Sequence, residues 1–170
     1  PPGAYNTCAS PAQALTGMNL LVTAGNTQAP IDRVRVVTNI FSGRTGANIA
    51  RAAWGRGHRV TLVTSHPETA DPPARGDDPD GRFAVIPYRT YDDLAGLMQH
   101  HVRAGGYDVI FHSAAVSDFL SAGVYAPAGG TFFNARFNKW EREAGLPPQM
   151  VEQTAGKIKS TEPELWIRLA

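Results

Sequence analysis

Cysteine occurs once in the 170 residues, as Cys8, so an intrachain disulfide is impossible. Cys8 sits in a Pro-, Ala- and Ser-rich stretch with no histidine near it in sequence, a poor setting for a nucleophile. No charge of one sign dominates: the formal net charge is +1, which leaves no bulk field for a nucleic-acid partner. No apolar run approaches the roughly 20 residues of a membrane span. Residues 1–17 have neither the basic start nor the apolar centre of a signal peptide. No membrane partner is expected, and the expected location is cytoplasmic. The sequence also lacks the G-x-G-x-x-G dinucleotide fingerprint, the G-x-x-x-x-G-K-[ST] P-loop and any Cys/His spacing suited to zinc. His100 and His101 are adjacent on a helical pattern, point in different directions and do not make a metal pair.

What is present is ordinary globular composition, 42% apolar and 18% charged, at a length that suits one domain with a real core. Residues 1–17 are expected to be a flexible leader or a non-native remnant, and 18–170 a single nucleotide-binding domain. Asn19–Ala24 (NLLVTA) and Arg59–Thr64 (RVTLVT) are short continuous apolar runs bounded by turn signals, which predicts buried strands. Phe83–Pro87 and Tyr107–Ser113 predict two more. Between the first two, Gly25–Thr45 reads as loop, and Ala47, Ile49, Ala50, Ala53 and Trp54 keep helical spacing over 46–56. Thr90 is placed to cap a helix over 91–103, with Asp92 and Asp93 in its first turn and Leu94, Leu97, Met98 and Val102 on its inner face. Residues 66–81 read as a solvated loop without patterning. The alternation of strands and helices predicts an α/β fold: a Rossmann-like, doubly wound, mostly parallel sheet with helices on both faces. About 120–154 reads as a loop-rich insertion with one short polar helix near Lys139–Ala144, and Glu164–Leu169 as a final strand.

In such a sheet ligands bind beyond the carboxyl ends of the strands. The segments in question are Ala24-Gly25-Asn26-Thr27, then Thr38 to Gly46 leading into the first helix, and Ala114 to Phe119 after the fourth strand. Small residues at a helix start let backbone N–H groups approach an anion, and the helix dipole adds about 0.3–2 kcal/mol per charge. A phosphate is therefore expected around Ser42–Gly46. His112 ends the fourth strand close to this region.

These segments closely resemble the phosphopantothenoylcysteine synthetase family. Thr23-Ala24-Gly25-Asn26-Thr27, Pro30-Ile31-Asp32-Arg33-Val34-Arg35, Asn39-x-x-Ser42-Gly43-x-x-Gly46, Ala114-Ala115-Val116-Ser117-Asp118-Phe119 and Lys157-Ile158-Lys159-Ser160 follow the family's motifs in order. The resemblance implies a ligase of coenzyme A biosynthesis. CTP or ATP would activate the carboxylate of 4′-phosphopantothenate as an acyl-nucleotide, and cysteine's amine would then displace the nucleotide. It implies Mg²⁺ carried by the nucleotide phosphates, no direct protein metal site, and a homodimer.

By the same resemblance, Asn39 would hold the acyl-nucleotide during cysteine attack and Lys157 would face the phosphates. Gly25, Thr27, Ser42, Gly43, Gly46, Ala114, Ala115, Asp118, Phe119 and Lys159 would bind nucleotide, with Asp118 able to touch Mg²⁺ through water. The sequence departs from the family at Asn26, where a second glycine is usual and a reshaped loop is expected. It also departs in the long interval between Asp118 and Lys157, and in stopping soon after Lys-Ile-Lys. Two other readings share some of these features. One is a non-catalytic nucleotide- or phosphopantothenate-binding relative. The other is an NAD(P)-dependent Rossmann oxidoreductase, which the missing fingerprint and the lack of a Tyr-x-x-x-Lys pair disfavour.

Overall fold

The computed structural model describes residues 17–153, 158 and 164–170. Strand β1 (Asn19–Ala24) leads through a small hairpin, β2 (Gln28–Pro30) and β3 (Val36–Thr38), into helix α1 (Arg44–Gly55) and strand β4 (Arg59–Thr64). Strand β5 (Phe83–Pro87), helix α2 (Tyr91–Ala104) and strand β6 (Val109–His112) complete the main layer. Four strands form one sheet in the order β5-β4-β1-β6. Every pairing in it is parallel, with Leu21 opposite Thr61 and Ile110. All four strands and both helices fall where the apolar runs place them.

The central strand shows why a continuous apolar run is needed. Successive side chains of a strand point to opposite faces, and here both faces are covered. Leu20, Val22 and Ala24 pack with Ala47, Ala50 and Ala53 of α1, together with Val60 and Leu62. Leu21 packs the other way with Val63, Tyr88 and Leu94, the last from α2. Helices therefore lie on both faces. Burying each such Leu or Val contributes about 1.5–3 kcal/mol. Helix α2 is fixed at its start by a capping box: Thr90 Oγ1 accepts from Asp93 N at 3.2 Å, and Asp93 Oδ2 accepts from Thr90 N at 2.8 Å.

Several expectations are corrected. Gly25–Thr45 is not plain loop, because it contains the β2–β3 hairpin. Its turn is made by Asp32, whose Oδ1 accepts from Val34 N at 2.8 Å and Arg35 N at 2.7 Å. Residues 66–81 are not unpatterned. A 3₁₀ turn spans Pro67–Thr69, and the Asp78 carboxylate accepts from Arg82 N, Phe83 N and Trp54 Nε1 at 2.9, 3.0 and 3.2 Å. Burial raises the Asp78 carboxyl, but these donors and the Arg82 charge outweigh it and hold it below its ordinary value. Val102 is exposed rather than core, since α2 turns it away from the sheet.

The largest correction concerns 120–154, which is mainly strand. β7 (Ser121–Ala128) is the centre of a separate antiparallel sheet, flanked by β10 (Gln149–Glu152) and β11 (Trp166–Leu169). The predicted final strand is thus real but does not extend the parallel sheet. Beside it β8 (Thr131–Asn134) and β9 (Lys139–Arg142) form a hairpin. The segment read as a polar helix is this β9 followed by a 3₁₀ turn over Glu143–Gly145. Phe133, Trp140 and Trp166 make its aromatic contact, with ring centroids 4.6–5.4 Å apart, a spacing that favours edge-to-face pairs.

Candidate functional site

From β1 the chain crosses to β4 and β5 on one side, and later returns to β6 on the other. The strand order reverses at the carboxyl ends of β1 and β6, where an open parallel sheet forms its crevice. A cleft of about 410 Å³ lies there, lined by Gly25, Phe41–Thr45 and His112–Ala115.

One wall is the start of α1. Gly43 is its N-cap residue, in the left-handed conformation at φ 75° with no side-chain cap. The helix-end N–H groups are left for a ligand or solvent. A Cβ on Gly43 would sit 2.8 Å from the backbone nitrogen of Gly25, and one on Gly46 would sit 2.6 Å from Ala24 Cβ and 2.8 Å from Thr23 O. Both glycines therefore permit α1 to press against the end of β1. Only Gly43 also lines the cleft. A larger residue at Gly43 would therefore first displace the Gly25 backbone, before any effect on a bound phosphate.

The opposite wall is the segment after β6. Ala115 N donates to Gly25 O at 2.8 Å, and Thr27 N donates to Ala115 O at 3.2 Å, so this segment continues the sheet alongside 25–27. Thr23 is fully buried, and its Oγ1 accepts from Ser113 N at 3.0 Å and Ala114 N at 3.2 Å.

Asn26 is buried and cross-links three segments. Its N–H donates to Ser65 Oγ at 2.8 Å, its Oδ1 accepts from Ser65 Oγ–H at 3.0 Å, and its Nδ2 donates to the carbonyl of Asn39. The side chain that departs from the family's glycine thus braces the loop that carries Asn39. Behind it Tyr88 donates to Ala24 O at 2.9 Å, and burial raises its phenol above the ordinary value.

The candidate residues divide accordingly. Gly25, Ser42, Gly43, Ala114 and Ala115 line the cleft, and Gly46 packs directly behind it. Asn39 is exposed on the 115 segment's side, with Nδ2 3.4 Å from Ala115 O. Thr27 is fully buried and its hydroxyl accepts from Ser117 N at 2.7 Å. It supports the wall from behind and does not line the cleft. Asp118 and Phe119 are exposed just beyond that wall and are not among the lining residues.

Lys157 and Lys159 lie outside the described residues. Ile158, which separates them in sequence, is buried: its N–H donates to Asp32 Oδ2 at 3.2 Å and its carbonyl accepts from Arg35 Nη2 at 3.3 Å. The Val34 N–H, with those of Ile158 and Arg35 and the Arg35 charge, holds the Asp32 carboxyl below its ordinary value despite burial. Sequence reasoning passed over Arg44 and Thr45, which line the cleft at the first turn of α1. A cation between two glycines at a helix start was the available signal.

Among the described residues no group of three or more His, Cys, Asp or Glu could hold a metal ion, and no helix is long and apolar enough to cross a membrane.

The family model described as the DNA/pantothenate metabolism flavoprotein C-terminal domain matches residues 15–126. The coenzyme A biosynthesis bifunctional protein CoaBC of Mycobacterium tuberculosis is 40% identical over 110 residues, 65% of this chain and 24% of that protein. CoaBC of Thermococcus kodakarensis is 34% identical over 107 residues, 63% of this chain and 24% of that protein. This chain thus corresponds to about a quarter of the length of these relatives. Among solved structures, the DNA/pantothenate metabolism flavoprotein from Streptococcus pneumoniae superposes with a TM-score of 0.62 at 25% identity, covering 90% of this chain and 59% of that one.

Proposed function

Since the chain belongs to the DNA/pantothenate metabolism flavoprotein C-terminal domain family, we propose that it is the phosphopantothenate–cysteine ligase part of a coenzyme A biosynthesis protein. In the first step a carboxylate oxygen of 4′-phosphopantothenate attacks the α-phosphorus of CTP or ATP and pyrophosphate leaves. In the second, the amine of cysteine attacks the acyl carbon and the nucleoside monophosphate leaves. The observation that carries this reading is the cleft at the β1–β6 reversal, with the free N-terminus of α1 on one side and the Ala114–Ala115 backbone on the other.

The needs of the reaction are positioning and charge stabilisation rather than an acid–base pair. Ser42, Gly43 and the first-turn N–H groups of α1 would hold phosphate oxygens, with Arg44 adding a fork of donors. Asn39, braced through its carbonyl by Asn26, would donate to the acyl oxygen during amine attack. Lys157 would face the departing pyrophosphate, and Lys159, Asp118 and Phe119 would border the nucleotide. Mg²⁺ would neutralise the phosphates when bound. That cation would arrive on the nucleotide and meet Asp118 through water. Homodimeric assembly and a cytoplasmic location belong to the same reading.

The deciding measurement is pyrophosphate release by the full-length protein from CTP and from ATP, with and without 4′-phosphopantothenate. Release that requires 4′-phosphopantothenate is expected. Nucleotide binding without release would leave only a binding module. Lys157→Gln should release little pyrophosphate. Asn39→Asp should accumulate the acyl-nucleotide, seen by mass spectrometry, with transfer to cysteine slowed about 10²–10³-fold.

A further inference from the structure

His112 is the last residue of β6, lines the cleft opposite α1, and presents its Nδ1 2.8 Å from Thr23 Oγ1. The direction of that hydrogen bond follows from counting. A threonine hydroxyl has one proton and two acceptor positions. Both acceptor positions of Thr23 are met by backbone N–H groups, Ala114 N at 3.2 Å and Ser113 N at 3.0 Å, the latter proton shared with the Thr23 carbonyl at 3.2 Å. Thr23 has no other acceptor competing for its proton among the described side-chain bonds, so the hydroxyl donates to His112 Nδ1. Nδ1 is then an acceptor, and the ring proton resides on Nε2. Among the described residues Nε2 has no protein partner.

From this we infer that Thr23 positions His112 as a fixed Nε2–H donor for an anionic oxygen, a phosphate oxygen of the nucleoside triphosphate held at the start of α1. The inference deepens the ligase reading and rests on it for the ligand, whereas the tautomer stands on the protein alone. The cradle otherwise offers backbone donors and Arg44 from one side. His112 supplies a directed donor from the strand side, so the anion is held between β6 and α1. The fully buried hydroxyl of Thr23 keeps the imidazole from turning its acceptor edge towards the anion.

Two measurements test this. In the ¹⁵N-labelled protein near neutral pH, two-bond nitrogen–proton correlation spectra should give His112 the Nε2–H pattern. Thr23→Val should mix or reverse the tautomers, and Thr23→Ser should restore the pattern. A parent protein in the Nδ1–H form overturns the inference whatever it binds. Mg²⁺–CTP and Mg²⁺–ATP are then titrated separately. The nucleotide that binds should shift the His112 Nε2 resonance. His112→Leu should weaken its binding roughly tenfold to a hundredfold, the worth of one hydrogen bond to a charged group, and His112→Gln should recover part of the loss. Tight binding by His112→Leu with an unmoved His112 resonance in the parent overturns the contact and leaves the ligase reading standing. If the parent binds neither nucleotide, the ligase reading and the assigned contact fall together, and the tautomer result still decides the Thr23 role.

Discussion

A single methyl group separates two otherwise similar glycines of α1. At Gly46 an added Cβ would overlap the backbone of β1, while at Gly55, at the end of the same helix, it would meet nothing within 4 Å. Alanine improves helix propensity by under about 1 kcal/mol, and overpacking costs about 1–3 kcal/mol. Gly46→Ala should therefore lower the melting temperature, by roughly 2–4 °C per net kcal/mol, and Gly55→Ala should hold or raise it. A calorimetric scan in which both variants behave alike would remove the close-packing account. At Asp32 the sign follows from its depressed carboxyl. Stability from a carboxylate with a lowered folded value is complete above the unfolded value of about 3.9. It is lost as pH falls through the lower folded value. Urea titrations of the parent should lose stability in that acid range, and Asp32→Asn should start lower near pH 6 and show a shallower acid slope. Residues such as Gly43 and Gly46 were legible because glycine at a helix start carries few meanings. Asn26, Ser65 and Thr23 were not, because their roles are hydrogen bonds between segments far apart in the chain, which a local pattern does not encode.

Elements were read correctly where a long pattern and a buried environment agree. β1, β4 and α1 each show that agreement, since a strand covered on both faces must be apolar throughout. The three-residue strands β2 and β3 are too short to display a period, and Pro30 in β2 looks like a turn signal. β7 was hidden by Gly123 and Pro127. Pro127 is tolerated there because β11 pairs with Ser121–Tyr125 and does not reach it, so Pro127 lies on a stretch of β7 with one open edge, where strand prolines are found. In β9 a two-residue period was present, with Lys139 and Glu141 joined at 2.9 Å and Trp140 turned to Phe133 and Trp166, but the charges suggested a helix face. If this aromatic contact supports the small sheet, Trp140→Ala should cost about 1–3 kcal/mol of local stability, the worth of its two aromatic pairs. The near-ultraviolet circular dichroism signal should fall while the far-ultraviolet helix signal stays. Equal loss of both would mean that the two sheets melt as one unit.

At the scale of the whole molecule, the doubly wound architecture and the location of the crevice were both readable from the order of elements, because parallel strands joined by helices leave few topologies. Of the residues that complete the crevice, His112 was readable from its place at the end of the fourth strand, whereas Arg44 was passed over because its part in the site depends on β6 returning beside β1. That return has a consequence for dynamics. β1 is buried along almost its whole length, whereas β6 stands at the border of the sheet with Ile110 and Phe111 each about two-fifths exposed. One lip of the crevice is thus anchored in the most protected strand and the other in a strand that opens readily. Local opening energies follow such differences in cover, and a ligand that grips both lips adds RT ln(1 + [L]/Kd) to the closed form alone. At a hundredfold excess over Kd, amide hydrogen exchange in β6 should slow by about a hundredfold, as should every opening that undoes the crevice, while local exchange at the exposed residues 75–77, away from it, changes little. Unchanged exchange in β6 at the same excess would contradict this. A bound nucleotide would then serve the protein as a clasp on its loosest seam, and substrate supply would set how long the border strand stays shut.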